Sequence, residues 1–248
     1  MRARLSELRA PLELASLVAV APLLELAPRG DGQPVLVLPG LGAGDRSTAP
    51  LRVYLATLGY RAYGWDLGVN VGVTGEILER LPGHLAEIHH RHGRAVSLVG
   101  WSLGGVYARA LAHRGQGVVR QVVTLGSPVK ISSASPEVFA DRFEKLAGRA
   151  AGGSGRPRAA LWQEPLPVPS TAVYSKSDGI VPWEAALQPE GPHQENVEVR
   201  SSHLGLGVNP SVLLVVADRL SQPEGRWSPW RPARAVAPWY PGRGQWQA

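Results

Sequence analysis

The pentapeptide Gly100-Trp101-Ser102-Leu103-Gly104 places a serine between small residues two positions before it and two positions after it. An apolar run at 96–99 precedes the pentapeptide, and a helical pattern at 103–113 follows it. Where a strand turns sharply into a helix, such small residues let the two elements approach closely, and the serine hydroxyl stays exposed above the sheet. A bare G-x-S-x-G also arises by chance among 29 glycines, but the strand–turn–helix context predicts that Ser102 is a nucleophile.

A serine hydroxyl is a weak nucleophile, so this chemistry requires a base. The histidines after Ser102 are His113, His193 and His203. His113 ends the helix that starts at the nucleophile and suits a cation at a helix C-terminus, while His193 lies in a polar run that we expect to be solvated. His203 follows the last predicted strand, where a loop would hold it over the carboxyl edge of the sheet. We therefore predict His203 as the base.

An acidic group should orient the base, and in this chain order it follows the serine and precedes the histidine. Asp178 comes after a predicted strand at 171–174, so its carboxylate can reach the second imidazole nitrogen and stabilise the imidazolium. Other acidic residues fit less well: Asp141 and Asp218 lie in predicted helices, and Glu164 and Glu184 lie in loops near the same edge. An ordinary Asp-Gly turn is the structural alternative for Asp178.

Acyl transfer also needs backbone N–H groups that bind the oxyanion of a tetrahedral intermediate. One should be that of Leu103, directly after the nucleophile, and the other should come from the Gly40-Leu41 region, in the loop after the first strand. The glycines of this loop could instead cradle a phosphate, but the chain has neither G-x-G-x-x-G nor G-K-[ST]. We therefore predict an oxyanion hole there.

Short apolar runs alternate with helical patterns along the chain, which predicts an α/β fold with a mostly parallel sheet flanked by helices, in a single domain over 1–248. The predicted strands are 35–38, 61–65, 96–99, 118–125, 171–174 and 197–200. The predicted helices are 47–58, 74–92, 103–113 and 210–220, with Ser47 or Thr48 as the cap of the first. The carboxyl ends of parallel strands share one edge, so this fold would bring the chemistry-bearing loops together.

Three segments stand outside this alternation. In the first, 1–30, acidic residues and a proline interrupt an apolar stretch, so we expect a helical segment packed on the domain. The second, 129–168, combines a polar helix with a Gly-rich stretch, which is typical of a cap or lid over an active site. The third, 222–248, holds four tryptophans among prolines, which indicates an irregular strap packed on the domain, with self-association into a homo-oligomer as the alternative.

Charge and composition limit the partners. The formal net charge is +6, and the absence of cysteine excludes disulfides, thiolate catalysis and cysteine-ligated zinc. The basic excess is spread along the chain without a nucleic-acid module, so we expect no nucleic-acid partner. The histidines at 84, 89, 90 and 92 lack zinc-binding spacing, and we expect neither metal nor cofactor. An intracellular, cytoplasmic enzyme is the default expectation, and contact with a membrane surface stays open.

Several motifs taken together resemble the bacterial lipase and carboxylesterase branch of the α/β-hydrolase superfamily. They are V-L-V-L-P-G-L-G at 35–42, G-W-S-L-G-G at 100–105, T-L-G-S-P at 124–128, Y-S-K-S-D-G-I-V-P at 174–182 and S-S-H at 201–203. The resemblance covers about residues 33–220. It implies the α/β-hydrolase fold, with Ser102 as nucleophile, Asp178 as acid and His203 as base. It also implies the N–H groups of Leu41 and Leu103 as oxyanion donors.

The expected reaction is two-step hydrolysis of a small-molecule ester or lipid through an acyl-enzyme. Gly40 and Trp101, with Trp65 or Trp183, are expected to line the substrate site, and a place in the core is the alternative for these tryptophans. If the pocket excludes water, the same residues would pass the acyl group to an alcohol or amine, which would make the chain an acyltransferase. A non-catalytic binding protein that keeps the fold is the remaining alternative.

Overall fold

Six parallel strands form one sheet in the part of the chain that this computed structural model describes, residues 6–130 and 163–241. The strands are β1 (Pro34–Leu38), β2 (Arg61–Tyr63), β3 (Val96–Trp101), β4 (Val119–Leu125), β5 (Ser170–Ser175) and β6 (Gln194–Val199). Their order across the sheet is β2-β1-β3-β4-β5-β6. Because all six run in the same direction, their carboxyl ends lie along one edge, where binding loops collect in α/β sheets.

Both faces of the central strands are buried. Every residue of β1 is buried, and so is all but one residue of β4. Alternate residues of β1 serve opposite faces: Val35 and Val37 belong to one apolar core, and Leu36 and Leu38 belong to the other. A strand covered on both sides reads as a continuous apolar run, and this is why the sequence predicts these strands well.

Helices cover the two faces of the sheet. They are α1 (Ala10–Ala19), α2 (Ala21–Leu24), α3 (Asp45–Thr57), α4 (Gly75–His92), α5 (Leu103–Arg114), α6 (Trp183–Ala186) and α7 (Pro210–Ser221). Helices α3 and α7 pack on one core, and α4 and α5 pack on the other. The hydroxyl of Thr74 accepts the Ile77 N–H at 3.2 Å to begin α4, and Gly93 ends it in the left-handed conformation.

The start of α3 differs from the prediction. The helix follows Gly44, and Ser47 and Thr48 lie inside its first turn, where their hydroxyls donate to carbonyls three residues earlier, at 2.7 and 3.2 Å. The earlier start lets the Asp45 carboxylate accept the N–H of Trp65 at 2.9 Å, which ties α3 to the loop after β2. A hydroxyl that bonds back into a helix and one that caps it look alike in sequence.

Several strand ends also differ from the prediction. β3 ends at Trp101 instead of 99. β2 ends at Tyr63 instead of 65, and β6 begins at Gln194 instead of 197. β6 pairs with β5 from its first residue, where Gln194 is opposite Ser170. The start of β6 is polar and has no apolar pattern of its own, so it is a strand because its backbone pairs with β5.

The N-terminal segment packs against the core that α7 helps to form. It consists of a 3-10 turn (Ser6–Arg9) followed by α1 and α2. Leu24 and Ala27 are buried in that core, and Leu17 packs against it. Within the described ranges, no helix combines the length and the apolar character needed to cross a membrane.

Most of the predicted cap, at 131–162, lies outside the described residues. The chain is anchored on both sides of it. The N–H groups of Val129 and Lys130 donate to the Ala185 carbonyl at 2.8 and 2.9 Å, and Leu166 is buried. The described chain therefore leaves the sheet at the carboxyl end of β4 and returns at the amino end of β5.

The C-terminal tail packs along the domain as far as residue 241. Trp230 and Tyr240 are 4% and 1% exposed, and their rings meet edge to face with centroids 5.4 Å apart. The Trp230 backbone N–H donates to Glu195 Oε2 at 2.6 Å, and the Tyr240 hydroxyl donates to the Ser211 carbonyl at 2.8 Å. This packing removes the apolar surface of Trp230 and Tyr240 from water. Residues 242–248, with Trp246, lie outside the described ranges.

Trp230→Ala is expected to lower the free energy of unfolding by about 3 kcal/mol, because it removes a buried indole and leaves a cavity. Chemical denaturation of the whole chain measures this. Trp227→Ala is the matched control, since Trp227 is only half-buried beside His193. Equal stability of the two variants would show that the tail does not contribute to the core.

Candidate active site

Ser102 lies at the turn between β3 and α5, with a backbone φ of 54°. Positive φ is unfavourable for a residue with a side chain, and such strained positions are concentrated at functional sites. The Ser102 N–H donates to the carbonyl of Leu125 on β4 at 2.9 Å. A Cβ atom at Gly100 would overlap the first turn of α5, and one at Gly104 would overlap the end of β1. The small residues around the serine are therefore required by close contacts.

The predicted acid and base meet at the carboxyl edge of the sheet. His203 Nδ1 lies 2.7 Å from Asp178 Oδ2, and the two side chains are 5% and 2% exposed. The other carboxylate oxygen, Oδ1, accepts the N–H groups of Ile180 and Val181, each at 2.8 Å. With both oxygens engaged, the carboxylate has one orientation and holds the imidazole proton on Nδ1. This leaves Nε2 free to accept a proton.

Trp101 connects the predicted nucleophile to the predicted base. Its indole N–H donates to the His203 carbonyl at 3.1 Å, and the two ring centroids are 6.5 Å apart. In the described ranges, no hydrogen bond joins the Ser102 hydroxyl to the His203 ring, a contact that often tightens only when substrate binds. The indole N–H thus holds the loop that carries His203, and the placement of Trp101 beside substrate stays a prediction.

Gly126, at the end of β4, is a residue whose role the sequence does not reveal. Its φ is 55°, and a Cβ atom there would lie 3.0 Å from Asp178 Oδ2 and 3.2 Å from His203 Nδ1. A side chain would also overlap Leu206. Gly126 therefore lets the backbone pass directly against the acid–base pair.

Gly126→Ala is expected to displace the Asp178–His203 contact and to lower kcat by about 10-fold or more, because small misplacements of reacting groups are costly. The matched control is Gly93→Ala. Gly93 has a similar φ of 60° but has no atom within 4 Å of the added Cβ, so it reports backbone strain alone. Steady-state kinetics and thermal unfolding of both variants separate the two effects. Equal kcat values for them would contradict the assignment of Gly126.

The loop after β1 is organised by Asn70, which is completely buried. Its side-chain N–H donates to the Pro39 carbonyl at 2.9 Å, and its backbone exchanges hydrogen bonds of 2.7 Å with Gly42 and Ala43. Its Oδ1 accepts the hydroxyl of Tyr107 at 3.2 Å. Burial raises the pKa of Tyr107, so the phenol stays a donor. Asn70 thereby fixes the loop that carries the predicted oxyanion donor.

Gly40 and Leu41 occupy this loop next to the nucleophile. A Cβ atom at Gly40 would lie 3.1 Å from Ser102 Cβ, so the loop passes directly beside the serine. Leu41 is half-exposed, whereas Leu103 is buried as the first residue of α5. The first N–H groups of a helix have no intrahelical acceptor, so the Leu103 N–H is available to a ligand.

Two predicted aromatic positions are placed by their contacts. Trp65 is completely buried and stacks on Tyr107 with centroids 6.4 Å apart, so of its two alternatives, a pocket wall or a place in the core, the structure shows the core. The Trp183 ring stacks on Tyr174 at 5.9 Å and lies under the Lys176 ammonium at 5.3 Å. Its role beside substrate stays a prediction.

Three of the remaining histidines have other partners. His84, His89 and His92 contact the Gly64 carbonyl, the Arg94 carbonyl and the Tyr63 hydroxyl at 3.0, 2.9 and 2.7 Å. His193 stands before β6, at the amino edge of the sheet. Among the residues that the structure describes, no cluster of three potential ligands could hold a metal ion.

Comparison of the chain with known proteins gives matches in structure alone. No protein-family model matches the chain, and no curated protein sequence matches it. A monoacylglycerol lipase of Paleococcus ferrophilus aligns with 75% of this chain and 96% of its own, at 18% identity and a TM-score of 0.54. A pyrethroid hydrolase of Sphingobium faniae JZ-2 aligns with 77% of this chain and 98% of its own, at 17% identity and a TM-score of 0.54.

A third solved structure is named for its fold. It is an α/β-hydrolase enzyme from the sediment metagenome of the Mar Chica lagoon in Morocco. It covers 76% of this chain and 90% of its own, at 20% identity and a TM-score of 0.51. The parallel sheet, the strained serine between β3 and α5, and these likenesses agree. The chain therefore has the α/β-hydrolase fold.

Proposed function

We propose that the chain is a serine hydrolase of carboxylic esters, with Ser102 as nucleophile, His203 as base and Asp178 as acid. The observation that carries this proposal is the buried 2.7 Å contact between His203 Nδ1 and Asp178 Oδ2, at the same sheet edge as the serine. An ordinary Asp-Gly turn has no need of a buried imidazole partner. A lipase and a hydrolase among the structural neighbours support hydrolytic chemistry.

In the first step, Ser102 Oγ attacks the ester carbonyl while His203 Nε2 takes the hydroxyl proton. The tetrahedral intermediate collapses, and the alcohol leaves with that proton. Water then attacks the acyl-enzyme, again with His203 as base, and the acid is released with Ser102 restored. Asp178 stays ionised throughout, because it stabilises the imidazolium and holds its orientation.

The oxyanion of each intermediate would bind the N–H groups of Leu103 and Leu41. The Leu103 N–H begins α5, so the positive end of the helix dipole adds to its effect. Removal of one such donor typically costs about 3 kcal/mol of transition-state stabilisation. The loop that carries the Leu41 N–H must therefore be held firmly, and Asn70 supplies the contacts.

Asn70→Ala is expected to lower kcat by roughly 10- to 100-fold, because the oxyanion loop loses the side-chain bond to its Pro39 carbonyl. It should also destabilise the fold by about 1–3 kcal/mol, since buried groups lose their partner. Tyr107→Phe is the control: it removes one hydrogen bond to Asn70 but leaves the loop contacts intact. An Asn70→Ala variant that loses stability and keeps its kcat would contradict this role.

A panel of p-nitrophenyl esters with short to long acyl chains tests the activity itself. A serine-directed phosphonate should label the wild type once, at Ser102. Adding an alcohol to the ester assay and analysing the products distinguishes hydrolysis from acyl transfer by the same site. Labelling at another residue, or no turnover of any ester, would refute the proposed function.

A further inference from the structure

The N-terminal segment places a carboxylate on two loops: the acid loop, 176–182, carries Asp178, and the base loop, 200–209, carries His203. One oxygen of Glu7, Oε1, accepts the N–H groups of Gly179 and His203, both at 2.9 Å. The other oxygen, Oε2, accepts the N–H of Leu204 at 2.8 Å. Gly179 directly follows Asp178 in the chain. A single side chain thus bridges the backbone beside the acid and the backbone of the base itself.

A second carboxylate of the same segment, Glu13, holds the base loop one residue earlier. Its Oε1 accepts the N–H of Ser202 at 2.9 Å, and its Oε2 accepts the Ser202 hydroxyl at 2.6 Å. The Ser202 oxygen in turn accepts the N–H of Gly205 at 3.0 Å. Ser202 is completely buried, so these bonds form away from water, where they are stronger.

The lack of a side chain at Gly205 is what admits Glu13. A Cβ atom built at Gly205 would overlap the Glu13 carboxylate. The φ of Gly205 lies outside the left-handed region, so its backbone conformation does not itself require glycine. The close approach of the carboxylate therefore accounts for glycine at this position.

A third contact from the same segment reaches the acid loop. The Arg9 guanidinium donates to the Ser177 hydroxyl at 2.9 Å, and that hydroxyl donates to the Ser201 carbonyl at 3.0 Å. Ser177 and Ser201 belong to the acid loop and the base loop respectively. The N-terminal segment therefore contacts both loops at several points, all within two residues of Asp178 or His203.

We propose that Glu7 and Glu13 are positioning residues of the hydrolytic site, which hold the acid loop and the base loop in the register that brings Asp178 to His203. This inference rests on the proposed function. Hydrogen bonds to an ionised acceptor are about twice as strong as neutral ones, and Glu7 receives three of them. A displacement of about 1 Å between reacting groups can lower the rate by about 100-fold, so the loss of these hydrogen bonds should lower kcat.

The central test is Glu7→Gln in the full chain. The amide keeps the shape of the side chain but has one acceptor oxygen, and its NH₂ group would face a backbone N–H. We expect kcat to fall by about 10-fold or more with KM changed less than about two-fold, because reacting groups move while substrate binding is retained. Glu25→Gln, on an exposed residue of the same segment, is the matched control and should keep the wild-type kcat.

Two measurements separate positioning from simple stabilisation. Thermal unfolding shows whether the Glu7→Gln chain is folded at the assay temperature. Proton NMR reports the His203 Nδ1–H, whose bond to Asp178 should give a downfield signal in the wild type and in Glu25→Gln, and a weakened or shifted one in Glu7→Gln. The NMR signal does not depend on turnover, so it tests the positioning role separately from the activity.

Gly205→Ala is a second test, which disturbs the contact of Glu13 with the base loop without removing a charge. The added Cβ should expel the Glu13 carboxylate and lower kcat, and in a Glu13→Ala background the same change should cost much less, because the space is already vacant. This coupling remains measurable if Glu7→Gln does not fold.

If the wild type hydrolyses esters while Glu7→Gln keeps its kcat and its NMR signal, the positioning role is refuted and the function stands. If the effects of Gly205→Ala and Glu13→Ala are additive, the role of Glu13 is refuted. A wild type without hydrolytic activity would refute the proposed function, and the NMR comparison alone would then decide whether Glu7 holds Asp178 at His203.

Discussion

Ser102→Ala is expected to lower kcat for a p-nitrophenyl ester by roughly a million-fold, because the nucleophile, acid and base act as a unit. A small residual rate above that of water should remain, since the oxyanion donors and the binding site are unchanged. Steady-state kinetics with highly purified protein measure the loss. Phosphonate labelling of the variant should disappear completely.

Ser102→Gly removes the same hydroxyl in a variant that is expected to be more stable, so it separates loss of the nucleophile from loss of the fold. Both variants remove the hydroxyl, so their activities should be equally low. Their stabilities should differ, because φ at this position is 54° and ψ is −122°, a conformation that glycine adopts without strain. We expect the glycine variant to be more stable than the alanine variant by about 1 kcal/mol. A Ser102→Ala chain that keeps esterase activity while remaining folded would exclude Ser102 as the nucleophile.

The sequence reveals the sharp turn that carries Ser102 because the residues that form it are neighbours in the chain. Strand, small residues, serine and helix follow one another within about twenty residues, and each carries a pattern that the close contacts of Gly100 and Gly104 then explain. The sheet is predictable for a similar reason, because strands buried on both faces read as apolar runs. The polar start of β6 has no such pattern, since pairing with β5 determines it.

The residues that hold the site in place, Glu7 and Asn70, could not be predicted because the residues they contact are distant in the chain. Glu7 and His203 are 196 residues apart, and Asn70 lies 31 residues from Pro39. In sequence, a glutamate in an N-terminal helical stretch looks like a surface charge, and an asparagine among glycines looks like a turn residue. Neither type of residue indicates which loop it will meet. The sequence leaves Trp65 open between two places in the fold, because an aromatic residue after a strand fits a pocket wall and a core equally well.

Gly126 lies between these two cases. It stands within T-L-G-S-P, a motif that contributes to the resemblance, yet nothing in the motif indicates that a side chain there would touch the acid–base pair. Glycine at a strand end is usually explained by a turn, and its φ of 55° agrees with a turn. The distances from an added Cβ to Asp178 and His203 give the second reason for glycine at this position, since a side chain there would touch both residues.

The acid–base pair gives the second large expected effect. His203→Ala should lower kcat about as much as the loss of Ser102, because no other group takes the serine proton. Asp178→Asn should lower kcat by roughly 10,000-fold. The N–H groups of Ile180 and Val181 both donate to Oδ1, so they should keep the amide oxygen on their side and turn the NH₂ group toward His203. The imidazole would then have to accept at Nδ1 and carry its proton on Nε2, where it cannot act as a base.

The same bonds to Ile180 and Val181 should keep the Asp178→Asn chain folded, so the loss can be assigned to chemistry. Steady-state kinetics, with thermal unfolding as the check on the fold, measure it. Glu184→Gln is the control, because Glu184 is an exposed carboxylate at the start of α6 in the next part of the chain. It should keep the wild-type kcat. If Asp178→Asn retains near-full activity and Glu184→Gln or Glu164→Gln loses it, one of those glutamates is the acid, and the buried 2.7 Å pair has only a structural role.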